Sequence, residues 1–160
     1  MSPLFTPQTV GPLTLGNRIV IAPMCQYSAV EGVPQPWHSQ HLGKLAISGA
    51  GLLIVEATGV EAAGRISWAD TGLWNDAQES AFADILADIR TYSDTPIGIQ
   101  LGHAGRKAAT SPSWINRGGP APADKTWETF APSPVPFKPD WRQPTPLDEA
   151  GMDRVTAAFV

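Results

Sequence analysis

The stretch Gly51-Leu52-Leu53-Ile54-Val55-Glu56-Ala57 decides the fold of this chain, because it has the length of one strand and its residues 52–55 form a continuous apolar run. A run without polar alternation predicts a β-strand buried on both faces, the kind found in parallel sheets. Two similar runs lie at 18–24, where Pro23 ends the apolar stretch, and at 96–101, where Pro96 takes the first position. We therefore predict three buried strands of one parallel sheet.

Two helical segments separate the predicted strands. Residues 37–48 and 76–92 carry apolar side chains at helical spacing, which marks one buried face on each helix. Asn75 is a favourable N-cap for the second helix, and Gln78, three residues later, can complete a capping box. The positions predicted to be buried are Leu42, Leu45, Ala46, Ala81, Phe82, Ile85, Leu86 and Ile89.

Proline and glycine shape the remaining segments. Residues 4–16 alternate β-prone stretches with Pro and Gly and predict a small hairpin, since proline is tolerated at strand edges and in turns. Residues 103–144 are rich in Pro, Gly and Trp and predict a long functional loop after the third strand. The last segment predicts a helix with Thr145 as its cap, Pro146 at its first position and Asp148 in its first turn.

The order β-α-β-α-β-loop-α implies an α/β protein whose parallel strands are joined by right-handed crossovers. An open doubly wound sheet and part of a (β/α)₈ barrel both satisfy this order. A barrel takes roughly 250 residues, whereas this sequence has 160. Three strands would leave the third with an unpaired apolar edge, which is an aggregation hazard. The chain is therefore predicted to be incomplete.

Composition and charge exclude several classes of protein. Hydrophobic residues make up 42% and charged residues 16%, which is a globular balance. The net charge of -4 and the scattered Lys and Arg residues do not support nucleic-acid binding. The sequence contains no run of about 18 apolar residues, so no membrane span is predicted. Its first residues lack the pattern of a signal peptide. Cys25 is the only cysteine, which precludes an intrachain disulfide and favours a reducing cytoplasm.

Ligands bind at the carboxyl ends of the strands in both parallel architectures. Residues 22–27, 56–58 and 100–107 follow the three predicted strands and combine small residues with neutral polar groups. This combination suits a flat heteroaromatic ligand with amide edges better than a hydrolytic transition state. The amide of Gln100 can donate and accept at once and is costly to bury without a polar partner, while Cys25 offers a weak S–H donor.

Four blocks of sequence at these strand ends resemble one known family. They are 17–27 (Asn-Arg-Ile-Val-Ile-Ala-Pro-Met-Cys-Gln-Tyr), 56–58 (Glu-Ala-Thr), 64–66 (Gly-Arg-Ile) and 100–107 (Gln-Leu-Gly-His-Ala-Gly-Arg-Lys). Together with the Trp-rich loop and the Phe-Ala-Pro-Ser of 130–133, they resemble the Old Yellow Enzyme family in order and spacing. The resemblance is to its thermophilic-like branch of bacterial ene-reductases, which includes the xenobiotic reductases, and it covers the whole chain.

The resemblance implies the fold and the activity of a flavoenzyme. The expected fold is a (β/α)₈ TIM barrel, with 1–160 as its N-terminal portion and the remainder of the barrel absent from this chain. The expected cofactor is FMN, bound without covalent attachment and reduced by NADPH or NADH. The expected reaction is hydride transfer from flavin N5 to the β-carbon of an alkene. An α,β-unsaturated carbonyl or nitro compound would be the small-molecule substrate.

The resemblance also implies roles for individual residues, with Tyr27 and Cys25 as the expected catalytic residues. In this branch the cysteine at the position of Cys25 contacts the flavin near O4 and N5 and modulates its redox potential. Tyr27 would point into the substrate cavity as a hydrogen-bond donor, and Gln100 would pair with the pyrimidine edge of the flavin. The expected cofactor contacts are Ala22, Pro23, Met24, Cys25, Ala57 and Gln100.

Other parts of the family's site have no counterpart in the sequence. The family's His-x-x-His-x-Tyr stretch, which grips the activating group and can supply a proton, does not occur. The only His-x-x-His spans 38–41 and is followed by Leu42-Gly43. The arginine near flavin N1 and the late phosphate-binding loops are also missing. We expect a remaining barrel polypeptide to supply these groups, and the resemblance suggests a homo-oligomer, a dimer or tetramer, when the barrel is complete.

Several features leave alternatives open. His38 and His41 have a spacing that can hold a metal on a helix, but no third ligand completes a site, which favours surface or helix-end roles. His103, Arg106 and Lys107 form either an anion pocket or a salt-bridge network within the loop. Three tryptophans of the long loop either roof the active site or pin the loop: Trp114, Trp127 and Trp141. The alternative function is a non-catalytic half-barrel that self-associates through its open edge as a binding or assembly module.

Overall fold

A computed structural model describes residues 2–160 and shows three short sheets and three helices. The hairpin strands are β1 (Gln8–Val10) and β2 (Leu13–Leu15), the main sheet has β3 (Val20–Ile21), β4 (Leu52–Gly59) and β5 (Ile97–Gly102), and the last pair is β6 (Phe130–Ala131) and β7 (Thr145–Pro146). The helices are α1 (Pro36–Ala46), α2 (Asp76–Arg90) and α3 (Glu149–Ala158).

The main sheet is parallel and has the order β3-β4-β5, so the stretch at 51–57 forms the central strand. Helices α1 and α2 pack together and supply, with β4, a single hydrophobic core. The parallel α/β arrangement predicted from the apolar runs is confirmed. The core consists of Leu42, Ala46, Leu53, Val55, Phe82, Ile85 and Ile89.

The prediction that the three strands are buried on both faces is wrong for this chain. Strand β3 has only two residues, of which Val20 is 45% exposed, and Ile97 and Ile99 of β5 are half-buried. Among residues 2–160, the helices α1 and α2 cover one face of the sheet, and no further layer covers the other. A continuous apolar run indicates that a strand is buried in the complete sheet, whichever segments of the protein cover its faces.

The capping box predicted at the start of α2 is also wrong in its second half. The Asn75 Oδ1 atom accepts a hydrogen bond from the Gln78 N–H at 3.1 Å, as an N-cap should. The Gln78 side chain does not return the bond to Asn75. Its Oε1 accepts from the Trp74 N–H at 2.8 Å and its Nε2 donates to the Glu31 carbonyl at 3.0 Å. Gln78 is fully buried, and its only acceptor oxygen is used by the Trp74 N–H instead of by the Asn75 N–H that a capping box requires.

The last helix begins three residues later than the sequence predicts. Asp148 is its N-cap, with Oδ1 accepting from the Gly151 N–H at 2.8 Å, and Thr145 and Pro146 form β7 instead. Strand β7 runs parallel to β6, and the Thr145 N–H donates to the Thr129 carbonyl at 2.8 Å. The long loop is therefore folded back on itself by a two-strand pair.

Candidate functional site

Three of the predicted site residues meet where β3, β4 and β5 end. Burial raises the pKa of the Cys25 thiol, and the nearby backbone N–H of Ala57 opposes that rise. Ala57 lies beside Gln100 in the register of β4 with β5. Ala57 and Gln100 line an open concavity of about 240 Å³ at the carboxyl ends of these two strands. This is the position at which parallel α/β sheets bind ligands.

A bulge in the central strand shapes this end of the sheet. The register of β4 against β5 shifts between Val55 and Ala57, which leaves Glu56 without a partner in the ladder. Val55 belongs to the core beneath the helices, and Glu56 also contacts the helix layer through His38 of α1. Two successive residues reach the same side only because the bulge interrupts the alternation of the strand. The bulge also sets Ala57 opposite Gln100.

The rest of the concavity comes from the segments that follow β4 and β5. Close packing requires glycine at position 64, because a Cβ there would lie 2.7 Å from Cδ2 of His103. Asp70 also lines the concavity and is almost completely buried. Its Oδ2 accepts from the Ser67 N–H at 2.7 Å and its Oδ1 from the Ser67 hydroxyl at 2.9 Å.

Burial sets the ionisation of the two acidic groups at this end of the sheet. It raises the pKa of the Cys25 thiol to about 11, and the negative charges of Asp70 and Glu56 add to the effect. Burial also raises the pKa of Asp70 to about 6, against the hydrogen bonds from Ser67. Cys25 is therefore a neutral thiol at neutral pH, and it can act as a weak hydrogen-bond donor rather than as a nucleophile.

The segment that carries the other predicted residues follows β3. Met24 is 71% exposed, and Ala22, Pro23 and Met24 do not line the concavity described above. Tyr27 has a φ of 49°, a left-handed backbone conformation that is costly for a bulky residue. Its hydroxyl accepts a hydrogen bond from Ser113 at 3.3 Å.

Two residues are placed differently from the sequence predictions. Gln100 is exposed in this chain rather than buried, because β5 is the edge strand of the sheet among residues 2–160. His38 is only 1% exposed, so a surface role for it is wrong, although its helix-end position is confirmed. No group of three or more potential metal ligands occurs among the described residues.

Sequence reasoning missed Glu56, whose carboxylate is buried beside this segment. Its Oε2 accepts from the Gln26 N–H at 2.9 Å, and its Oε1 lies 3.3 Å from Nε2 of His38. The signal was available, because a carboxylate at the end of an apolar strand is costly unless it is hydrogen-bonded.

The basic residues of the long loop form a network within the protein. His103 Nε2 lies 2.8 Å from Glu61 Oε1, and Arg154 of α3 donates to Glu61 Oε2 at 3.1 Å. Burial opposes ionisation of Glu61, but these hydrogen bonds prevail and lower its pKa. Arg106 donates to the Val135 carbonyl at 2.9 Å and to the Ser133 hydroxyl at 3.0 Å. His103 is thus paired with a carboxylate outside the loop and Arg106 bonds only neutral oxygens, so these contacts are not the salt-bridge network within the loop that was the alternative to an anion pocket.

The three tryptophans of the loop make different contacts. Trp127 Nε1 donates to the Ala63 carbonyl at 3.1 Å and so pins the loop onto the segment after β4. Trp141 Nε1 donates to the Thr110 hydroxyl at 3.3 Å, which is a contact within the loop itself. Trp114 is 67% exposed and stands edge-on to the Tyr27 ring, with 5.2 Å between the ring centroids.

Comparison with known proteins identifies the family. The model of the NADH:flavin oxidoreductase / NADH oxidase family matches residues 3–130. The chain belongs to this family. The resemblance to the Old Yellow Enzyme family is thereby confirmed, and FMN with NAD(P)H as reductant is the cofactor system that the family uses.

Individual members of the flavin oxidoreductase family extend the match. An NADPH dehydrogenase of Bacillus velezensis is 42% identical over 147 residues, which is 91% of this chain and 38% of that protein. An NADPH dehydrogenase of Geobacillus sp. is 36% identical over 98% of this chain and 42% of its own length. Among solved structures, an old yellow enzyme homologue from Zymomonas mobilis has a TM-score of 0.78 at 27% identity, covering 99% of this chain and 43% of that one. A morphinone reductase, solved with tetrahydroNAD, has a TM-score of 0.80 at 24% identity and supports the fold alone.

The chain spans about two fifths of the length of the curated relatives it matches. The fold is therefore that of a partial barrel, in which the three parallel strands are those described above. No helix among residues 2–160 is both long and apolar enough to cross a membrane.

The residues at the strand ends fit the flavin cofactor of this family. The exposed amide of Gln100 offers donors and an acceptor at the lip of the concavity, which is the chemistry of a pyrimidine edge. The neutral Cys25 thiol lies beside the Ala57 backbone and offers a weak donor without a competing negative charge of its own. The donor set is therefore one for a neutral, flat ligand.

Proposed function

We propose that this chain supplies the first flavin-contacting strands of an FMN-dependent ene-reductase, which reduces activated C=C bonds of enones and nitroalkenes with NAD(P)H. The observation that carries the proposal is the meeting of Cys25, Ala57 and Gln100 at the carboxyl ends of neighbouring parallel strands. A site of this kind needs residues that orient a cofactor and tune it, while the cofactor supplies the redox chemistry.

Each residue has a part in this proposal. FMN, when bound, supplies hydride transfer to the alkene. Gln100 pairs with the pyrimidine edge of the ring, and Ala57 permits close approach because its side chain is small. Cys25 keeps its proton at neutral pH and donates weakly, which favours electron density on the ring. Tyr27 donates to the activating oxygen of the substrate, and the segment 22–24 lines the ring through its backbone.

The remaining parts of the proposal rest on the match to about two fifths of the relatives' length. Residues 1–160 form the N-terminal portion of one barrel, and the remaining barrel polypeptide supplies the histidine pair, the arginine and the phosphate-binding loops. The complete protein is a homo-oligomer. We place it in a reducing cytoplasm, since the sequence contains one cysteine.

The test is flavin binding and turnover with and without the complementing barrel segment of a close relative. We expect flavin fluorescence quenching and NADPH-dependent reduction of cyclohexenone only when both polypeptides are present. Gln100→Leu should weaken FMN binding in that mixture, and Gln143→Leu, at another exposed glutamine, is the matched control. Full turnover by the 160 residues alone would show that the complement is not needed. No FMN binding by the mixture would reject the flavin site.

A second function has one observation in its favour. An apolar groove of about 410 Å³ lies between α2 and the edge strand β5, and it is lined by residues such as Phe82, Leu86 and Ile99. A half-barrel that self-associates would cover it. Sedimentation at several concentrations distinguishes the two functions: a flavin-free oligomer whose size grows with concentration favours the assembly module, whereas a monomer that pairs with the complement favours the enzyme.

A further inference from the structure

We propose that Glu56 and His38 are positioning residues that hold Gln26, and through it the flanking Cys25 and Tyr27, in the geometry of the site. The inference rests on the proposed function for the roles of Cys25 and Tyr27. The contacts that carry it are independent of any cofactor.

Gln26 is the most firmly bound residue of the segment that follows β3. Its N–H donates to Glu56 Oε2 at 2.9 Å and its carbonyl accepts from the Ser28 hydroxyl at 2.9 Å. Its side-chain Oε1 accepts from Trp37 Nε1 at 3.0 Å, and its Nε2 donates to the Met24 carbonyl at 2.8 Å. Both backbone groups and both ends of the amide are thus engaged at one residue.

The strained backbone next to Gln26 shows why such anchoring is needed. Tyr27 follows directly and has a φ of 49°. A non-glycine residue keeps that conformation only where its surroundings enforce it. The orientation of the Tyr27 ring and the position of the Cys25 sulfur both depend on the peptide units on either side of Gln26. Holding Gln26 therefore sets the two side chains that we expect to face cofactor and substrate.

Glu56 can act as the anchor because it is itself immobilised. Its side chain is only 3% exposed, and the bulge in β4 turns it toward the first turn of α1. A buried carboxylate needs hydrogen bonds or an N–H dipole nearby to offset the loss of water. One oxygen is used by Gln26, and the other faces His38.

The hydrogen bonding of His38 determines which ring nitrogen carries its proton. Nδ1 accepts from the Gln35 N–H at 2.9 Å, and it lies 3.3 Å from the Gln35 carbonyl, to which it would donate in the other tautomer. The shorter contact favours the tautomer with the proton on Nε2. That nitrogen is fully buried and lies 3.3 Å from Glu56 Oε1, without the alignment of a good hydrogen bond. The donor has no other partner among residues 2–160. Its role is to place the partial positive charge of the Nε2–H group against the Glu56 carboxylate, which keeps that carboxylate oriented toward the Gln26 N–H.

The test measures amide hydrogen exchange and the ring nitrogens of His38 by NMR on the 160-residue chain without flavin. Glu56→Ala removes the acceptor, so we expect the Gln26 amide to exchange about tenfold to hundredfold faster, the range for a lost hydrogen bond to a charged group. Glu56→Gln keeps an acceptor and should restore most of the protection. Its new NH₂ group would face His38 Nε2 and shift the ring proton to Nδ1, which a change of packing alone would not do.

Matched variants keep the test decisive. Glu61→Gln alters the other glutamate–histidine pair, Glu61 with His103 at 2.8 Å, and should leave Gln26 exchange unchanged. Trp37→Phe removes only one donor to the Gln26 side chain, from a residue that is 51% exposed. It should speed exchange by about twofold to tenfold, as for a lost neutral hydrogen bond. If Glu56→Ala loses its far-UV circular dichroism, Glu56→Gln and Trp37→Phe decide the question.

The outcomes separate this inference from the proposed function. Unchanged Gln26 exchange in a folded Glu56→Ala chain, or an unchanged His38 tautomer in Glu56→Gln, would overturn the positioning role. Faster exchange and the tautomer shift support it, and they do so even if the complemented protein binds no FMN, a result that would reject only the flavin site.

Discussion

Replacing Asp70 by asparagine should speed the alkylation of Cys25, because the Asp70 carboxylate is, after burial, the main cause that raises the pKa of this thiol. The pKa of the Cys25 thiol lies at about 11, against 9.0 for an ordinary thiol, with burial as the main cause and Asp70 as the next. Two units correspond to about a hundredfold smaller thiolate fraction at neutral pH. Since burial stays in the variant, we expect a gain of about threefold to tenfold, equivalent to half a unit to one unit.

The assay is simple because Cys25 is the only cysteine. The rate of reaction with iodoacetamide is measured by intact mass between pH 7 and 10, in the folded chain and in urea. The folded chain should show a rate that still rises almost tenfold per pH unit at pH 10, while the unfolded chain levels off near the ordinary thiol pKa of 9.0. Asp84→Asn, an exposed position on α2, is the control for lost charge.

Two results would refute this reasoning. A folded chain whose rate levels off near pH 9 would show that the thiol is not buried beside negative charge. A rate unchanged by Asp70→Asn, with an intact fold, would show that the carboxylate does not act on the sulfur. The direction in which pH changes the stability of the fold follows from the same raised pKa. A group whose pKa is raised by folding stabilises the fold below its unfolded pKa, so this contribution is lost as pH rises from about 9 toward about 11.

Three further predictions concern stability and use urea denaturation as the readout. The pKa of Asp70 is raised from 3.8 to about 6, so its protonated form stabilises the fold below pH 4. The free energy of unfolding should therefore fall by at most about 3 kcal/mol between pH 4 and 6. Asp70→Asn should abolish that fall, and an unaltered pH profile in the variant would contradict the raised pKa of Asp70. Gly64→Ala should destabilise the fold by about 1–3 kcal/mol through the clash with His103, whereas Gly98→Ala, with no atom within 4 Å of the new Cβ, should show no such loss. Asn75→Ala should cost about 1 kcal/mol through loss of the helix cap, and no change would indicate that solvent replaces the cap.

The apolar runs were sufficient to predict the parallel sheet and its three strands, although the burial of those strands on both faces was wrong. The run at 51–57 lies in the central strand, and the Asn75 cap was recognised because capping is a contact between residues three apart. Local hydrogen bonds of this kind are visible in sequence. The start of α3 was not, because Thr145 and Pro146 pair with residues near 130, and nothing in the local sequence encodes that competing partner.

The candidate site shows the same division. Sequence blocks and their spacing were enough to single out Cys25, Ala57 and Gln100, since the carboxyl ends of parallel strands must converge. The anchoring of Gln26 could not be foreseen. It depends on a bulge that turns Glu56 toward His38, and a bulge is an irregularity of pairing between two strands rather than a property of either one.

The sequence by itself determined the α/β order, the family and the residues that belong at the strand ends. These follow from residue types and spacings along one chain. Only the tertiary structure decided that Gln100 lies exposed on an edge strand, that His38 is buried, and that Glu56 holds the segment carrying Cys25 and Tyr27. The physical reason is that exposure and hydrogen-bond partnership belong to pairs of distant segments, and their free energies appear only when those segments are brought into contact.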